Sequence, residues 1–377
     1  MSLIKIDNLI TLKYNYKISG KKYNTINISL FKMKNSYREF KIYTDGIFEI
    51  FKHYKKYFPD FILRIYFDDS VIDNKDFIKL YNILDNNKQQ LIHYNCQKFK
   101  LDKKYHRGIF GMMIRFLPYF DFKNNDTNIS LVLDAEPYSL NKTKNFLEYF
   151  SIYINKFINS DAKFFRNFKI CDRSPWVPIY EDFILGYMNA SKYKFPLDLL
   201  KNFLINKIYK IKNEYPKLYN ESINYKKNND NIFFYGVDEF FLSVILKSYL
   251  DDKKIKYMTY KTCYVNFHFY YILLEIIFKN YLNNTNKTKY DKITQIINKK
   301  TFKKFKDFNS ILEYIGKKYD YNRRTDKHKV YKILRNIIIK IHETNINLFN
   351  LLNINNYECL FLTDKYYDDT NNLTITN

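Results

Sequence analysis

The chain has 377 residues, of which 46% are hydrophobic and 19% aromatic, and it carries a formal net charge of +24. This composition excludes an intrinsically disordered chain, because Tyr and Phe alone supply ample material for a buried core. The length favours one large domain with additions. The longest apolar run, 265–282, contains charged side chains and so predicts a buried helix, since a membrane span needs about 20 predominantly apolar residues.

The positive charge has two interpretations. Basic chains are typical of proteins that bind nucleic acid or anionic surfaces. Here Lys, Asn, Ile, Tyr and Phe dominate while only three alanines and 7 glycines occur, a bias that an AT-rich genome produces. We therefore expect solvated lysines, no specific nucleic acid, and a basic surface that attracts an anionic substrate. A nucleic-acid-binding protein that uses Lys with interleaved aromatic residues is the alternative.

The cysteines and the first residues predict a compartment. The four cysteines are far apart, and their spacing matches neither a disulfide framework nor a zinc site. This pattern favours a reducing environment. The first residues lack the basic and then apolar stretches of a signal peptide. We therefore expect a cytoplasmic protein that is not secreted.

Strands and helices alternate in the first part of the chain. Apolar periodicity predicts strands over 24–32, 61–67 and 90–94, and helices over 44–59 and 77–84. Strand–helix–strand order is typical of βαβ units. It predicts an α/β fold whose mostly parallel sheet is flanked by helices.

The elements that follow are a short helix, an apolar strand and a series of further helices. The helix begins near Gly108, and the strand covers 129–133. Further helices are predicted over 142–159, 180–190 and 197–212, and the segment 232–246 is predicted to begin as a strand and turn into a helix. Beyond residue 250 proline is absent and glycine nearly so. This change predicts a domain over 1–250 followed by a helical C-terminal extension over 251–377.

Two carboxylates, Asp134 and Glu136, follow the apolar strand 129–133. Parallel α/β sheets bind ligands at the carboxyl edge, and strand positions i and i+2 share a face. Oxygen ligands of this kind suit Mg²⁺ or Mn²⁺, which then bridge to a substrate diphosphate. The alternative is a strand that ends in solvated acids.

The segment before this strand adds to the interpretation. Gly108 and Gly111 are three residues apart in a glycine-poor chain, which indicates close backbone approach to a ligand or to the neighbouring strand. Arg115 lies one helical turn beyond Gly111. Its guanidinium could pair with a donor phosphate or orient Asp134; a surface salt bridge is the alternative.

Three sequence segments in order, RIYFDDS (64–70), GIFGMMIRFLPYFD (108–121) and LVLDAE (131–136), resemble the GT-A-type nucleotide-diphospho-sugar glycosyltransferases of large DNA viruses and some bacteria. The resemblance implies that Asp134 and Glu136 occupy the metal-binding Asp-x-Asp motif, with Glu136 replacing the usual second Asp. It also implies that Asp68 and Asp69 contact the nucleotide. A capping turn is the alternative for these two acids.

A fourth segment, YGVDEFFL (235–242), is similar to the acidic motif that such enzymes carry near the acceptor. The resemblance implies a catalytic role for Asp238 and Glu239: a base for the acceptor hydroxyl if the enzyme inverts, and an orienting group if it retains. An N-cap acid is the alternative. Trp176, the one tryptophan, could stack on a sugar or on the nucleotide, or belong to the core.

The resemblance therefore implies a metal-dependent hexosyltransferase-like enzyme. Its donor would be a nucleoside-diphosphate sugar, its cofactor Mn²⁺ or Mg²⁺, and its acceptor a hydroxyl of a glycan, protein or small molecule. If the protein is viral, we expect it in the host cytoplasm or the virion. A catalytically degenerate GT-A fold with a structural or interaction role is a further alternative.

Overall fold

The computed structural model describes residues 2–33, 39–99, 106–135, 139–169, 184, 186–214, 236–262 and 373–376. The chain divides into two compact units, and the first comprises residues 1–168, 179–261 and 369–377. This first unit takes residues from both sides of the boundary predicted at 250. Nearly all described residues belong to it, whereas most of the predicted helical extension lies outside the described residues.

Ten strands within the described residues form one sheet. In sheet order they are β1 (Ser2–Ile6), β2 (Ile10–Tyr14), β5 (Gln90–Asn95), β4 (Phe61–Phe67), β3 (Tyr23–Leu30), β7 (Thr127–Val132), β9 (Asn189–Ser191), β8 (Phe164–Lys169), β11 (Tyr257–Thr262) and β12 (Leu373–Thr376). Two short strands, β6 (Phe120–Asp121) and β10 (Phe195–Pro196), pair separately in parallel.

The sheet is parallel at its centre. Strands β5, β4, β3 and β7 run in the same direction, with Ile26 in register with both Leu63 and Leu131. On one side β1 and β2 are antiparallel, and on the other β9 is antiparallel to β7 and β8. The predicted α/β class is confirmed, and the sheet is mixed.

Eight α-helices in the described part of the chain connect or flank these strands. They are α1 (Phe40–Tyr57), α2 (Lys75–Asn86), α3 (Arg107–Ile114), α4 (Ser139–Ile158), α5 (Leu197–Asn202), α6 (Ile208–Glu214), α7 (Val237–Phe240) and α8 (Lys247–Asp252). A π-helical segment joins α5 to α6, another joins α7 to α8, and a 3₁₀ turn follows α3. None of the described helices has the length and apolar character needed to cross a membrane.

Apolar faces explain how the helices pack. The buried side chains Ile47, Ile50 and Tyr54 of α1 repeat at helical spacing, and α1 contacts both α2 and α4. Helix α2 starts where the Asn74 side chain accepts hydrogen bonds from the backbone N–H groups of Asp76 and Phe77. These contacts fix the crossovers that place β4 beside β3 and β5 beside β4.

The order of the parallel strands creates a switch point. The chain runs from β3 to β4 and β5 on one side, and then crosses to β7 on the other side of β3. Open α/β sheets bind ligands outside the carboxyl ends of their strands where the strand order reverses in this way. Residues 31–33 after β3 and 133–135 after β7 therefore lie at the place where the topology favours a ligand.

Most predicted elements are confirmed, but two are wrong in their described parts. The helical extension predicted over 251–377 contains the strands β11 and β12, which belong to the sheet. The helix over 180–190 is the second. Residues Asn189–Ser191 form β9, which pairs with β7 and β8. Its three side chains are all buried. Pairing with β7 and β8 determines the conformation of this short segment, and the local periodicity of the sequence does not indicate that pairing.

Candidate functional site

Arg115 is the centre of a buried ionic cluster at the switch point. It follows α3 directly, and its side chain is 8% exposed. The Nη1 group donates to Asp134 Oδ1 and, at 3.4 Å, to the Leu133 carbonyl. The Nη2 group donates to Asp238 Oδ2 at 2.6 Å. One guanidinium thus joins two carboxylates that are 104 positions apart in the sequence (238 − 134).

The charges of this cluster shift the pKa values of Arg115 and Asp238. Burial alone would lower the pKa of Arg115, but Asp134 and Asp238 outweigh burial and raise it. Burial raises the pKa of Asp238, while the Arg115 charge opposes that rise and the Asp134 charge adds to it. With both acids ionised, the cluster carries one positive and two negative charges.

Strand β7 positions Asp134 at the edge of the sheet. The strand is held next to β3, and the Leu133 backbone N–H donates to the Asn27 carbonyl at 3.1 Å just beyond it. The Asp134 side chain is 40% exposed, although its partner Arg115 is buried. One face of this carboxylate is therefore fixed by protein, and the other reaches solvent.

Two glycines allow Asp238 to reach Arg115. Gly236 has φ +87°, a left-handed conformation that other residues rarely adopt, and α7 begins directly after it. A Cβ at Gly186 would lie 2.5 Å from Asp238 Oδ2 and 3.2 Å from Arg115 Nη2. Position 186 is therefore compatible only with glycine unless the cluster shifts.

The two predicted catalytic acids have different environments. Asp238 is 6% exposed and bonded to Arg115. Glu239 is half-buried, and its Oε1 accepts from the Gly186 N–H at 3.4 Å. Both lie in the first turn of a helix, where carboxylates are favourable, as predicted. Their catalytic roles stay predictions.

Close packing explains why positions 108 and 111 are glycines. A Cβ at Gly111 would overlap the ring of Phe31, and one at Gly108 would lie 3.2 Å from the end of the Met33 side chain. Both contacts are with the segment that follows β3. The glycines therefore let α3 approach this segment closely, which is one of the two explanations predicted, and their contact with a donor stays a prediction.

Asp68 and Asp69 follow β4 at the same edge of the sheet. Asp68 is buried; it accepts hydrogen bonds from the backbone N–H and the hydroxyl of Ser70, as expected for a turn, and from Arg107 Nε at 2.8 Å. Asp69 is 46% exposed, and its Oδ1 lies 2.7 Å from His93 Nε2. Helix α3 therefore has an arginine at each end, Arg107 and Arg115, and each contacts an acid at the carboxyl edge.

Some site residues were missed by sequence reasoning, and two predicted ones cannot be placed. Gly186 and Arg107 were missed; the scarcity of glycine could have indicated the first, and the position of the second beside Gly108 could have indicated it. Glu136 and Trp176 lie outside the described residues. The predicted pair of metal ligands is therefore placed at Asp134 only.

The described donor set is compatible with a hard divalent cation. Among the described residues no group of three His, Cys, Asp or Glu side chains converges. Mg²⁺ is usually bound by one or two carboxylates together with waters and substrate phosphates, so a large protein ligand set is not required. A half-exposed carboxylate that is hydrogen-bonded from behind is the expected form of such a ligand.

The chain matches no protein-family model and no curated protein. Its own geometry, an exposed carboxylate held by a buried arginine at a switch point, is therefore the basis for inferring its function.

Proposed function

We propose that this protein is a metal-dependent glycosyltransferase with a GT-A fold. It would transfer a sugar from a nucleoside-diphosphate sugar to a hydroxyl acceptor. The observation that carries this proposal is the position of Asp134: it lies two residues beyond the end of β7 at the switch point, it is 40% exposed, and a buried arginine holds it.

The donor is expected at the carboxyl edge of the parallel strands. Asp134 would hold Mn²⁺ or Mg²⁺ there, with Glu136 as the second predicted ligand. A bound cation of this kind neutralises the charge of a departing diphosphate. Asp68 and Asp69, at the end of β4, are the predicted nucleotide contacts on the other side of β3.

The acceptor is expected near the start of α7. Asp238 is buried against Arg115, whereas Glu239 lies in the same helical turn and is more accessible. Glu239 is therefore the better placed acid to meet an acceptor hydroxyl. Asp238 then has the separate task of holding Arg115.

A thermal-shift screen tests the donor assignment. UDP- and GDP-sugars are added with and without Mn²⁺, and hydrolysis of the stabilising donor is then measured. We expect stabilisation that requires Mn²⁺, and a loss of hydrolysis of about 100-fold or more in Asp134→Asn, since preorganised charge at the leaving group is a large catalytic term.

Asp45→Asn is the matched control. Asp45 is also an ion-paired aspartate with a 39% exposed side chain, but it lies on α1. Its variant should keep full hydrolysis. Full activity of Asp134→Asn, or activity in excess chelator, contradicts the proposal. Steeply salt-dependent binding of polynucleotide without any donor binding would instead favour the nucleic-acid alternative.

A further inference from the structure

We propose that Arg115 and Asp238 are positioning residues: Asp238 locks the Arg115 guanidinium, and Arg115 in turn sets the orientation of the Asp134 carboxylate toward a divalent cation. This inference rests on the proposed function and assigns a task to two side chains that would not themselves contact the cation.

The first support is the geometry of the guanidinium. Arginine presents its N–H donors in a rigid plane, so fixing one edge of the fork fixes the other. Nη2 is fixed by Asp238, and Nη1 holds Asp134 and the Leu133 carbonyl. A lysine has a single flexible ammonium group and could not bridge both carboxylates in this way.

The second support is the burial of the Arg115–Asp238 ion pair. Arg115 and Asp238 have side chains that are 8% and 9% exposed, and Gly186 closes against both of them. Three segments far apart in the sequence thus meet around one guanidinium. Of the three charged side chains, only the Asp134 carboxylate is well exposed to solvent. A ligand would therefore contact Asp134 directly, and the orientation of that carboxylate would affect binding.

The third support is an unused donor. Arg115 Nε is buried and has no hydrogen-bond partner among the described residues. A buried donor without a partner destabilises a fold. The arginine therefore satisfies the two carboxylates at the expense of its own third nitrogen, as expected if its orientation serves Asp134.

Charge and positioning predict opposite results when Arg115 is removed. Arg115 is positive and close to Asp134, so its charge alone opposes a cation there. If charge were its whole effect, Arg115→Met would bind Mn²⁺ more tightly. If Arg115 positions the ligand, the same variant binds Mn²⁺ more weakly, by about 10- to 100-fold, the usual effect of losing a partner behind a metal ligand.

The test measures Mn²⁺ binding alone, by electron paramagnetic resonance of the full chain, with no sugar present. Arg115→Met and Gly186→Ala should both bind Mn²⁺ more weakly than the unsubstituted protein. Gly186→Ala removes no charge, and it keeps the test valid if Arg115→Met does not fold. Lys41→Met removes one positive charge from α1, where Lys41 pairs with Asp45, and should leave Mn²⁺ affinity unchanged.

The outcomes separate the two proposals. Unchanged or tighter Mn²⁺ binding in Arg115→Met or in a folded Gly186→Ala overturns the positioning role and leaves the proposed function intact. Equal weakening in Lys41→Met also overturns it, because the effect would then be one of general charge. Absence of Mn²⁺ binding by the unsubstituted protein overturns the metal part of the proposed function and this inference together.

Discussion

Two buried arginines in this sheet domain have different surroundings. Arg64 lies on β4 and is 1% exposed; its Nε donates to Gln90 at 2.7 Å, its Nη1 to Thr127 at 2.7 Å and its Nη2 to Asp126 at 2.8 Å. Arg115 lies at the carboxyl edge, bonds two carboxylates, and leaves Nε without a partner among the described residues.

This is the difference we expect between a structural arginine and one that serves the proposed site. All three nitrogens of Arg64 are bonded, and its acid Asp126 is itself buried. The Arg115 cluster is incomplete and keeps one acid exposed to solvent at the place where the topology favours ligands. Polar groups that lack a hydrogen-bond partner are expected more often at functional sites than elsewhere. We therefore interpret the cluster around Arg115, and not the one around Arg64, as the site.

The largest effect on stability is expected for Arg64→Met. It leaves the Asp126 carboxylate buried without its cation, and breaking a buried pair in this way destabilises a protein by about 3–5 kcal/mol. Urea unfolding measures the change, and Mn²⁺ affinity should not follow it. A loss of Mn²⁺ binding in folded Arg64→Met would remove the distinction between the two arginines.

A smaller decrease in the free energy of unfolding, about 1–3 kcal/mol, is expected for Arg115→Met. Asp134 reaches solvent, and Asp238, whose pKa burial already raises, can take up a proton when its cation is lost. Urea unfolding under identical conditions gives the comparison. The distinction fails if Arg115→Met destabilises the fold as much as Arg64→Met does.

A pH dependence is expected near Arg64. Burial, reinforced by the charges of Arg64 and Lys22, lowers the pKa of Lys194 from 10.5 to about 7. The folded state then binds fewer protons than the unfolded state, so stability rises between pH 7 and 9, by at most about 2 kcal/mol from this group. Lys194→Met should remove this rise in unfolding experiments at the two pH values, and an unchanged slope would refute the shift.

The smallest decrease in the free energy of unfolding, about 1 kcal/mol, is expected for Arg107→Met. Asp68 keeps its two hydrogen bonds from Ser70 in this variant. The Arg107 side chain is 37% exposed, so its ion pair is partly hydrated. Thermal unfolding checks the change. A loss comparable to that of Arg64→Met would mean that Asp68 depends on its arginine as Asp126 does.

The centre of the fold could be predicted from the sequence. Strands β3, β4, β5 and β7 and the helices between them show apolar periods that are visible within one element, and their alternation predicts parallel pairing. The flanking strands were missed: the β1–β2 hairpin is short, and β9 has three residues whose conformation depends on pairing with β7 and β8. Such pairing is a long-range property that a local pattern does not record.

The site was predictable in the same partial way. An apolar strand that ends in an acid indicates Asp134 at the carboxyl edge, and the helical turn from Gly111 indicates Arg115 nearby. The link from Arg115 to Asp238 and the close approach of Gly186 join segments more than 50 positions apart. No spacing in the sequence indicates these two contacts, because they form only when distant segments meet in the folded chain.

The most direct test of the account is the position of Mn²⁺ in a crystal grown with Mn²⁺ and the donor nucleotide that stabilises the protein most. Anomalous scattering at the manganese edge locates the ion independently of the protein coordinates. We expect a peak about 2.1 Å from the solvent-facing oxygen of Asp134, with the other oxygen still bonded to Arg115. A peak elsewhere, or none at Asp134 while the nucleotide is bound, would contradict it.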